Sequence, residues 1–163
     1  FSCSNKTFSI IPLLMGFIWY HPKTFGTAWM NLNGFTPESL KQGNMAVIFG
    51  LCYLFGVMQS AALLTVTIHQ LSIFSIFDND PLMKDPNSES SLYVKHFIET
   101  YGTRFRYFRH GALHGAIAAF FIALPVIATN AAFERRGFRY VAIHAGYWIV
   151  TLALMGGCVC QFF

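Results

Sequence analysis

The stretch QGNMAVIFGLCYLFGVMQSAALLTVTIHQLSIFSIF, residues 42–77, decides the fold of this chain. It contains no Asp, Glu, Lys or Arg. It is also longer than the roughly 20 apolar helical residues that cross a hydrocarbon core about 30 Å thick. Water-soluble domains rarely contain such a run, so the sequence predicts a membrane protein.

The composition of the whole chain agrees with this prediction. Of its 163 residues, 55% are hydrophobic and only 11% are charged, which is too little charge for the surface of a soluble domain. The net charge of +4 comes largely from the predicted loops. No basic patch stands apart from the membrane edges, which argues against nucleic-acid binding and favours membrane lipids as partners.

Three further apolar stretches accompany the first, so we predict an all-α polytopic membrane protein built as a four-transmembrane-helix bundle. The spans are expected at about 3–20, 44–74, 107–132 and 139–163, within a single domain over residues 1–163. The second is long enough to be tilted, and Pro125 predicts a kink in the third. Because the chain begins with Phe rather than Met, we expect residues upstream of Phe1.

The connecting segments carry helix signals of their own and predict short interfacial helices. Thr36-Pro37-Glu38 combines a capping residue, a first-turn proline and an acid. Asp85-Pro86 is expected to open a second such helix, which stops at Gly102. Its aromatic residues recur every four positions: Tyr93, Phe97 and Tyr101.

A row of small residues in the third span predicts close helix packing. Gly111, Gly115, Ala119 and Ala123 fall at successive fourth positions, which places them on one helix face. In lipid, small residues let two helix backbones approach each other. We expect this face to be the central contact of the bundle or a dimer interface. The second span offers a shorter pair of the same kind, Ala46 and Gly50.

Three histidines are expected at one membrane face. His69 ends the second span, while His110 and His114 open the third and share one side of that helix. Three imidazoles at one depth fit Zn²⁺ or a similar metal with water as the fourth ligand, and a bis-histidine haem is a further alternative. Interhelical hydrogen bonding explains them without any cofactor, and we predict none.

The opposite face gathers a second polar group, which is a candidate polar network or transport route: Tyr20, Asn130, Glu134, His144 and Tyr147. An ionisable residue at membrane depth is a functional candidate, for example on a proton or cation path. The alternative for Glu134 is an ion pair with a neighbouring arginine that fixes the turn between the last two spans.

Recognisable catalytic motifs are missing from the sequence. The cysteines have no Cys-x-x-Cys spacing, and no phosphate-binding loop, dinucleotide fingerprint or hydrolase elbow is present. Whether the protein is an enzyme stays open, and the sequence leans against it.

Several motifs run in order along nearly the whole chain: Trp19-Tyr20 with Pro22, Phe25-Gly26, Trp29-Met30, residues 110–115 (HGALHG), residues 130–135 (NAAFER) and Gly146-Tyr147-Trp148. Together they resemble a bacterial membrane family catalogued as domain of unknown function 1761. The longer middle loop is similar to that of members from Bacteroidota-type bacteria. The resemblance implies a multi-pass protein of the bacterial inner membrane and no particular activity.

Two functions fit these observations. The first is a non-enzymatic helix bundle that acts as a homo-oligomer or as an accessory subunit of a larger membrane complex. The alternative is a small transporter or channel for a proton, a metal ion or a small solute, using one of the two polar groups. The sequence does not fix the membrane orientation, because Lys and Arg divide almost evenly between the two sides.

Overall fold

The computed structural model describes residues 7–163 as helices joined by short turns, without a strand in that range. The predicted start of the first span at residue 3 lies outside the described residues. The α-helices are Ile11–Trp19 (α1), Gly26–Asn33 (α2), Pro37–Leu40 (α3), Met45–Thr67 (α4), Ser72–Ile76 (α5), Glu89–Tyr101 (α6), Phe108–Phe133 (α7) and Phe138–Phe162 (α8).

Three of these helices are long and apolar enough to cross a membrane. They are α4, α7 and α8, with mean hydropathies of 2.0, 2.0 and 1.6 over their most apolar windows. The all-helical prediction is thus confirmed, and three of the four expected spans have helices of sufficient length. The first expected span corresponds to α1, which has nine residues and follows a turn at residues 9–10.

The second long helix ends earlier than the sequence predicts. Instead of continuing to residue 74, α4 stops at Thr67, and Ile68 leaves the helical region with φ −114° and ψ 84°. A 3₁₀ turn, His69–Leu71, and the short helix α5 follow. Residues 65–68 are four consecutive β-branched residues, which are poor helix formers, and this accounts for the break. The prediction of one long helix over residues 44–74 was therefore wrong.

The short helices predicted in the connecting segments are present with small changes in their bounds. Thr36 caps α3 through a reciprocal hydrogen-bond pair with Ser39, although α3 has only four residues. The helix expected after Asp85-Pro86 begins at Glu89, where the Ser88 side chain caps it, and gives way at Gly102.

An irregular turn occurs in α7 where Pro125 predicts a kink. Residues Ala119–Ala123 form a π-helical segment immediately before the proline. Proline has no backbone N–H and its ring crowds the preceding turn, and a widened turn relieves that conflict.

Helix α8 lies at the centre of the fold and contacts α1, α4 and α7. The contacts fix an alternating arrangement. Tyr147 of α8 binds Pro12 of α1, whereas Cys160 near the other end of α8 lies against Thr67, the last residue of α4. The end of α4, the beginning of α7 and the end of α8 therefore meet at one end of the bundle.

The closest helix contact joins α7 and α8 through the predicted row of small residues. A Cβ atom added to Gly111 would overlap the carbonyl oxygen of Gly156, and one added to Gly115 would overlap that of Leu152. Ala119 is fully buried, whereas Ala123 is half-buried. This face is consequently used inside the chain, where it brings two helix backbones into contact.

Candidate functional site

The structure places the polar residues singled out by the sequence at two opposite ends of the bundle. The histidine cluster, defined as His69, His110 and His114, lies where α4 ends and α7 begins. The tyrosine–histidine group, defined as Tyr20, His144 and Tyr147, lies where α1 ends and α8 begins.

The histidine cluster brings three imidazoles into mutual contact. Nε2 of His69 lies 3.2 Å from Nε2 of His114. The ring of His110 is centred 5.2 Å from that of His69 and 4.5 Å from that of His114. One ligand nitrogen from each residue can be chosen so that all three lie within 4.8 Å of one another. The described residues contain no other such group of His, Cys, Asp or Glu.

The early end of α4 is what positions His69. Because the chain turns at Ile68, which is almost fully buried, His69 points across to α7 from a 3₁₀ turn. The next residue, Gln70, donates hydrogen bonds to the carbonyl oxygens of Tyr101 and Arg104. These bonds tie the turn to the segment that leads into α7.

The other two histidines are held by the segment in front of α7. Phe105 stacks on the His110 ring at 5.3 Å, with 21° between the planes. Its φ of 62° is uncommon for a bulky residue. The Cys160 thiol donates to the carbonyl oxygen of Phe105 at 3.4 Å, and Arg106 Nε donates to that of Cys160 at 3.0 Å. The end of α8 thereby keeps this backbone in place.

One nitrogen in the cluster has no partner. His110 Nε2 is buried and receives no hydrogen bond from the described residues. Buried polar groups are normally satisfied, so an unpaired imidazole nitrogen beside two further imidazoles is a candidate ligand atom. Imidazole nitrogens are the preferred ligands of Zn²⁺ and related ions.

A cavity of about 510 Å³ adjoins the cluster on the His69 side. The first turn of α6 forms its far wall with Glu89 and Ser90. Asp80 fixes this wall, because it accepts hydrogen bonds from Ser90 Oγ at 2.6 Å and from the Leu82 N–H at 2.9 Å. These two bonds favour the charged carboxylate and lower the pKa of Asp80.

The tyrosine–histidine group is a network of rings and hydrogen bonds. Tyr20 Oη lies 3.3 Å from His144 Nδ1, and its ring is centred 5.3 Å from that of Tyr147. Tyr147 Oη donates to the carbonyl oxygen of Pro12 at 2.7 Å. His144 Nε2 is buried without a partner among the described residues. This group attaches α1 to α8.

Asn130 and Glu134, which the sequence placed in the same group, stand apart from it. Both are exposed, and the structure gives neither side chain a hydrogen bond to Tyr20, His144 or Tyr147. Glu134 Oε2 instead lies 3.7 Å from Arg136 Nε, in the turn between α7 and α8. The turn-fixing role of Glu134 accounts for this geometry better than a proton path does.

A second cavity, of about 630 Å³, lies between α1 and α4, beside the tyrosine–histidine group. Its walls are mostly apolar and include Phe17, Phe49 and Tyr20. Gln59 also lines it, and its buried Oε1 has no partner among the described residues. In the sequence, the one signal for this cavity is Gln59, a polar residue inside an apolar span.

Sequence reasoning missed the residues that support the histidine cluster. Gln70, Phe105, Arg106 and Cys160 act largely through backbone carbonyl groups. Such contacts leave no spacing pattern, because the partners are 31 to 55 residues away in the sequence.

Comparison with known proteins gives one family. The family model described as "Protein of unknown function (DUF1761)" matches residues 8–160. No curated protein matches the chain, and no solved structure matches it. Since the family model covers nearly the whole chain, including both polar groups, this protein belongs to the family catalogued as domain of unknown function 1761.

Proposed function

We propose that the protein is a four-span protein of the bacterial inner membrane that acts without enzymatic chemistry, as a homo-oligomer or as an accessory subunit of a larger membrane complex. The observation that carries this proposal is the uneven coverage of its long helices. In α8, 44% of the most apolar 18 residues are buried inside the chain, compared with 17% in α4 and 11% in α7.

The open surface of α4 has a feature suited to another helix. Ala46 and Gly50 are four residues apart and both exposed, and a Cβ atom added to Gly50 would meet nothing within 4 Å. Pairs of small residues at this spacing allow two membrane helices to approach closely. The corresponding surface of α7 is already used against α8, so α4 is the proposed contact helix.

Large apolar side chains on α7 add to the uncovered surface. The π-helical segment projects three consecutive residues outward: Phe120, Phe121 and Ile122, which are 50%, 69% and 64% exposed. Lipid tails cover part of this surface in any membrane protein. A protein partner covers it with shape complementarity as well, which is how helices associate in lipid.

The proposed fourth crossing rests on the contacts of residues 8–20. Phe8 lies against Phe162 with ring centroids 6.3 Å apart, and Trp19 Nε1 donates to the carbonyl oxygen of Ile143 at 3.0 Å. The segment therefore runs alongside α8 from one end to the other, in the opposite direction. Together with its uncharged sequence, this supports a crossing by the segment that contains α1.

The size of the native particle tests the proposal. In mild detergent or native nanodiscs, we expect the protein mass of the particle, after subtraction of bound detergent and lipid, to exceed the 18.4 kDa of one chain. Gly50→Leu should reduce it to the monomer, because a leucine there keeps the partner helix away. Ala62→Leu is the matched control, since Ala62 is also exposed on α4 but lies on another face.

The mass also separates the two forms of the proposal. A multiple of the chain mass supports a homo-oligomer, and added mass from other membrane proteins supports an accessory role. A monomeric wild-type chain without bound protein would contradict both forms. A Gly50→Leu variant that keeps the wild-type mass would exclude α4 as the contact helix.

Transport receives less support from the geometry. The histidine cluster and the tyrosine–histidine group lie at opposite ends of α8, and the seam between α7 and α8 is closed by backbone contacts at Gly111 and Gly115. A path along this seam has no room for a solute. Transport would therefore require a path away from this seam, along the cavity between α1 and α4 or between subunits.

A further inference from the structure

We propose that the histidine cluster is a zinc site, in which His69, His110 and His114 each supply one imidazole nitrogen and a water molecule supplies the fourth ligand. The proposal goes beyond the assembly role and does not depend on it. It concerns a Zn²⁺ ion bound by this chain alone, at the end of the bundle where α4, α7 and α8 meet.

The spacing of the nitrogens fits a tetrahedral ion. Zn–N bonds of about 2.0–2.1 Å in tetrahedral geometry place ligand nitrogens about 3.4 Å apart. His69 and His114 already lie at 3.2 Å, and the widest of the three separations does not exceed 4.8 Å. The third nitrogen lies within 4.8 Å of the other two, so it is at most about 1.4 Å farther than a tetrahedral ion requires.

A network of hydrogen bonds among the three histidines gives a partner to fewer of their nitrogen atoms than a bound metal ion does. Two Nε2 atoms facing each other form a bond only when one carries the proton and the other does not. That bond satisfies His69 and His114 but leaves Nε2 of His110 buried and unpaired. A metal ion gives all three nitrogens a partner, since each then donates a lone pair to it.

The backbone around the cluster is fixed before any ion binds. His110 and His114 are one turn apart on α7, so their side chains share a face. Phe105 restrains the His110 ring by stacking, at the expense of an unfavourable φ. Conformational strain of this kind is found where the surrounding structure holds a functional geometry.

The donor set of the cluster consists of three neutral imidazoles. Among the described residues, no carboxylate adds a ligand atom to the three. Hard cations such as Mg²⁺ and Ca²⁺ require oxygen ligands, so this donor set excludes them. Imidazole ligands suit Zn²⁺, and the cavity beside His69 borders one of the three ligands.

Metal titration of the full chain tests the proposal. The protein is purified with a tag that contains no histidine, stripped with a chelator, and titrated with Zn²⁺ in competition with a chromophoric chelator. We expect one Zn²⁺ per chain. Co²⁺ in place of Zn²⁺ should give the intense visible bands of a tetrahedral site, which a loosely bound surface ion does not give.

The variants assign the ligands. His69→Gln, His110→Gln and His114→Gln should each weaken Zn²⁺ binding by at least about 10-fold, because even supporting residues outside the ligand shell contribute that much. His96→Gln is the matched control, since His96 is exposed on α6 outside the cluster and its loss should leave the affinity unchanged.

Separate measurements check that each variant is folded. Circular dichroism and elution volume confirm that each variant is helical and dispersed. His69→Gln is the decisive one, because His69 lies in an exposed turn after α4. Less than one Zn²⁺ per chain would overturn the proposal. So would a His69→Gln protein that keeps the wild-type affinity and the Co²⁺ bands.

Discussion

At the scale of single residues, the buried hydrogen bonds between distant helices matter most. Tyr147 is buried, and its hydroxyl is bound to the carbonyl oxygen of Pro12, 135 residues earlier in the chain. The aromatic motifs of α1 and α8 are evident in the sequence. Their pairing is not, because a hydroxyl that binds a backbone carbonyl places no demand on the identity of the partner side chain.

Removing that hydroxyl should loosen the attachment of α1. In Tyr147→Phe, the ring stays but the carbonyl oxygen of Pro12 is left without its donor, which costs about 1–3 kcal/mol for a buried group. Denaturant titration in detergent, followed by Trp fluorescence, measures the loss. Tyr93→Phe is the control, because Tyr93 is exposed on α6. Equal stability of the two variants would show that the bond to Pro12 contributes nothing.

Asp80 makes the stability of the loop before α6 depend on pH. Its pKa is lowered in the folded protein, so the stabilisation is complete above the unfolded pKa and is lost as the pH falls through the lowered folded value. Above about pH 5, Asp80→Asn should weaken the protection of α6 backbone amides against hydrogen exchange.

The comparison is made in identical buffers, so that the intrinsic exchange rates cancel. The difference between Asp80→Asn and the wild type should vanish at low pH, where the wild-type carboxyl is protonated as well. A difference that persists unchanged at low pH would show that the charge of Asp80 has no part in holding Ser90.

At the scale of helices, the contact between α7 and α8 dominates the fold. The sequence pattern identified the small residues of α7, and it left open whether they face another copy or another helix of the same chain. Only the fold decides this, because Leu152 contributes a carbonyl oxygen that any residue could supply. The end of α4 was also missed, since an apolar run without a charge or a proline gives no clear stop signal.

Adding a single methyl group to this contact should be costly. Gly115→Ala introduces a Cβ atom that overlaps the carbonyl oxygen of Leu152, so α7 and α8 must separate. Overpacking of this kind costs about 1–3 kcal/mol. Gly137→Ala is the control, because a Cβ atom there meets nothing within 4 Å. Thermal unfolding in detergent compares them, and equal midpoints would contradict the close contact.

At the scale of the whole molecule, the number of membrane crossings determines on which sides of the membrane the two polar groups are exposed. Helices α4, α7 and α8 alternate in direction, which puts the histidine cluster and the tyrosine–histidine group at opposite ends. Composition was sufficient to predict the membrane class and three long helices. It could not fix the first crossing, because α1 itself has only nine residues.

Labelling with a membrane-impermeant thiol reagent tests the first crossing. The native cysteines are replaced by serine, and single cysteines are introduced as Lys6→Cys, Lys23→Cys and Lys84→Cys. Four crossings place residues 6 and 84 on one side and residue 23 on the other. If Lys6→Cys and Lys23→Cys are labelled from the same side, the chain crosses three times.

The pairing of α1 with α8 has a consequence for synthesis of the protein. Helix α1 leaves the ribosome long before α8, because Pro12 is synthesised well ahead of its hydrogen-bond partner Tyr147. Helices α7 and α8 are joined by only four residues, 134–137, and can insert as a hairpin late in translation. A chain interrupted before α8 thus keeps the contact of α1 with α4 but lacks the hydrogen-bonded attachment that Tyr147 provides.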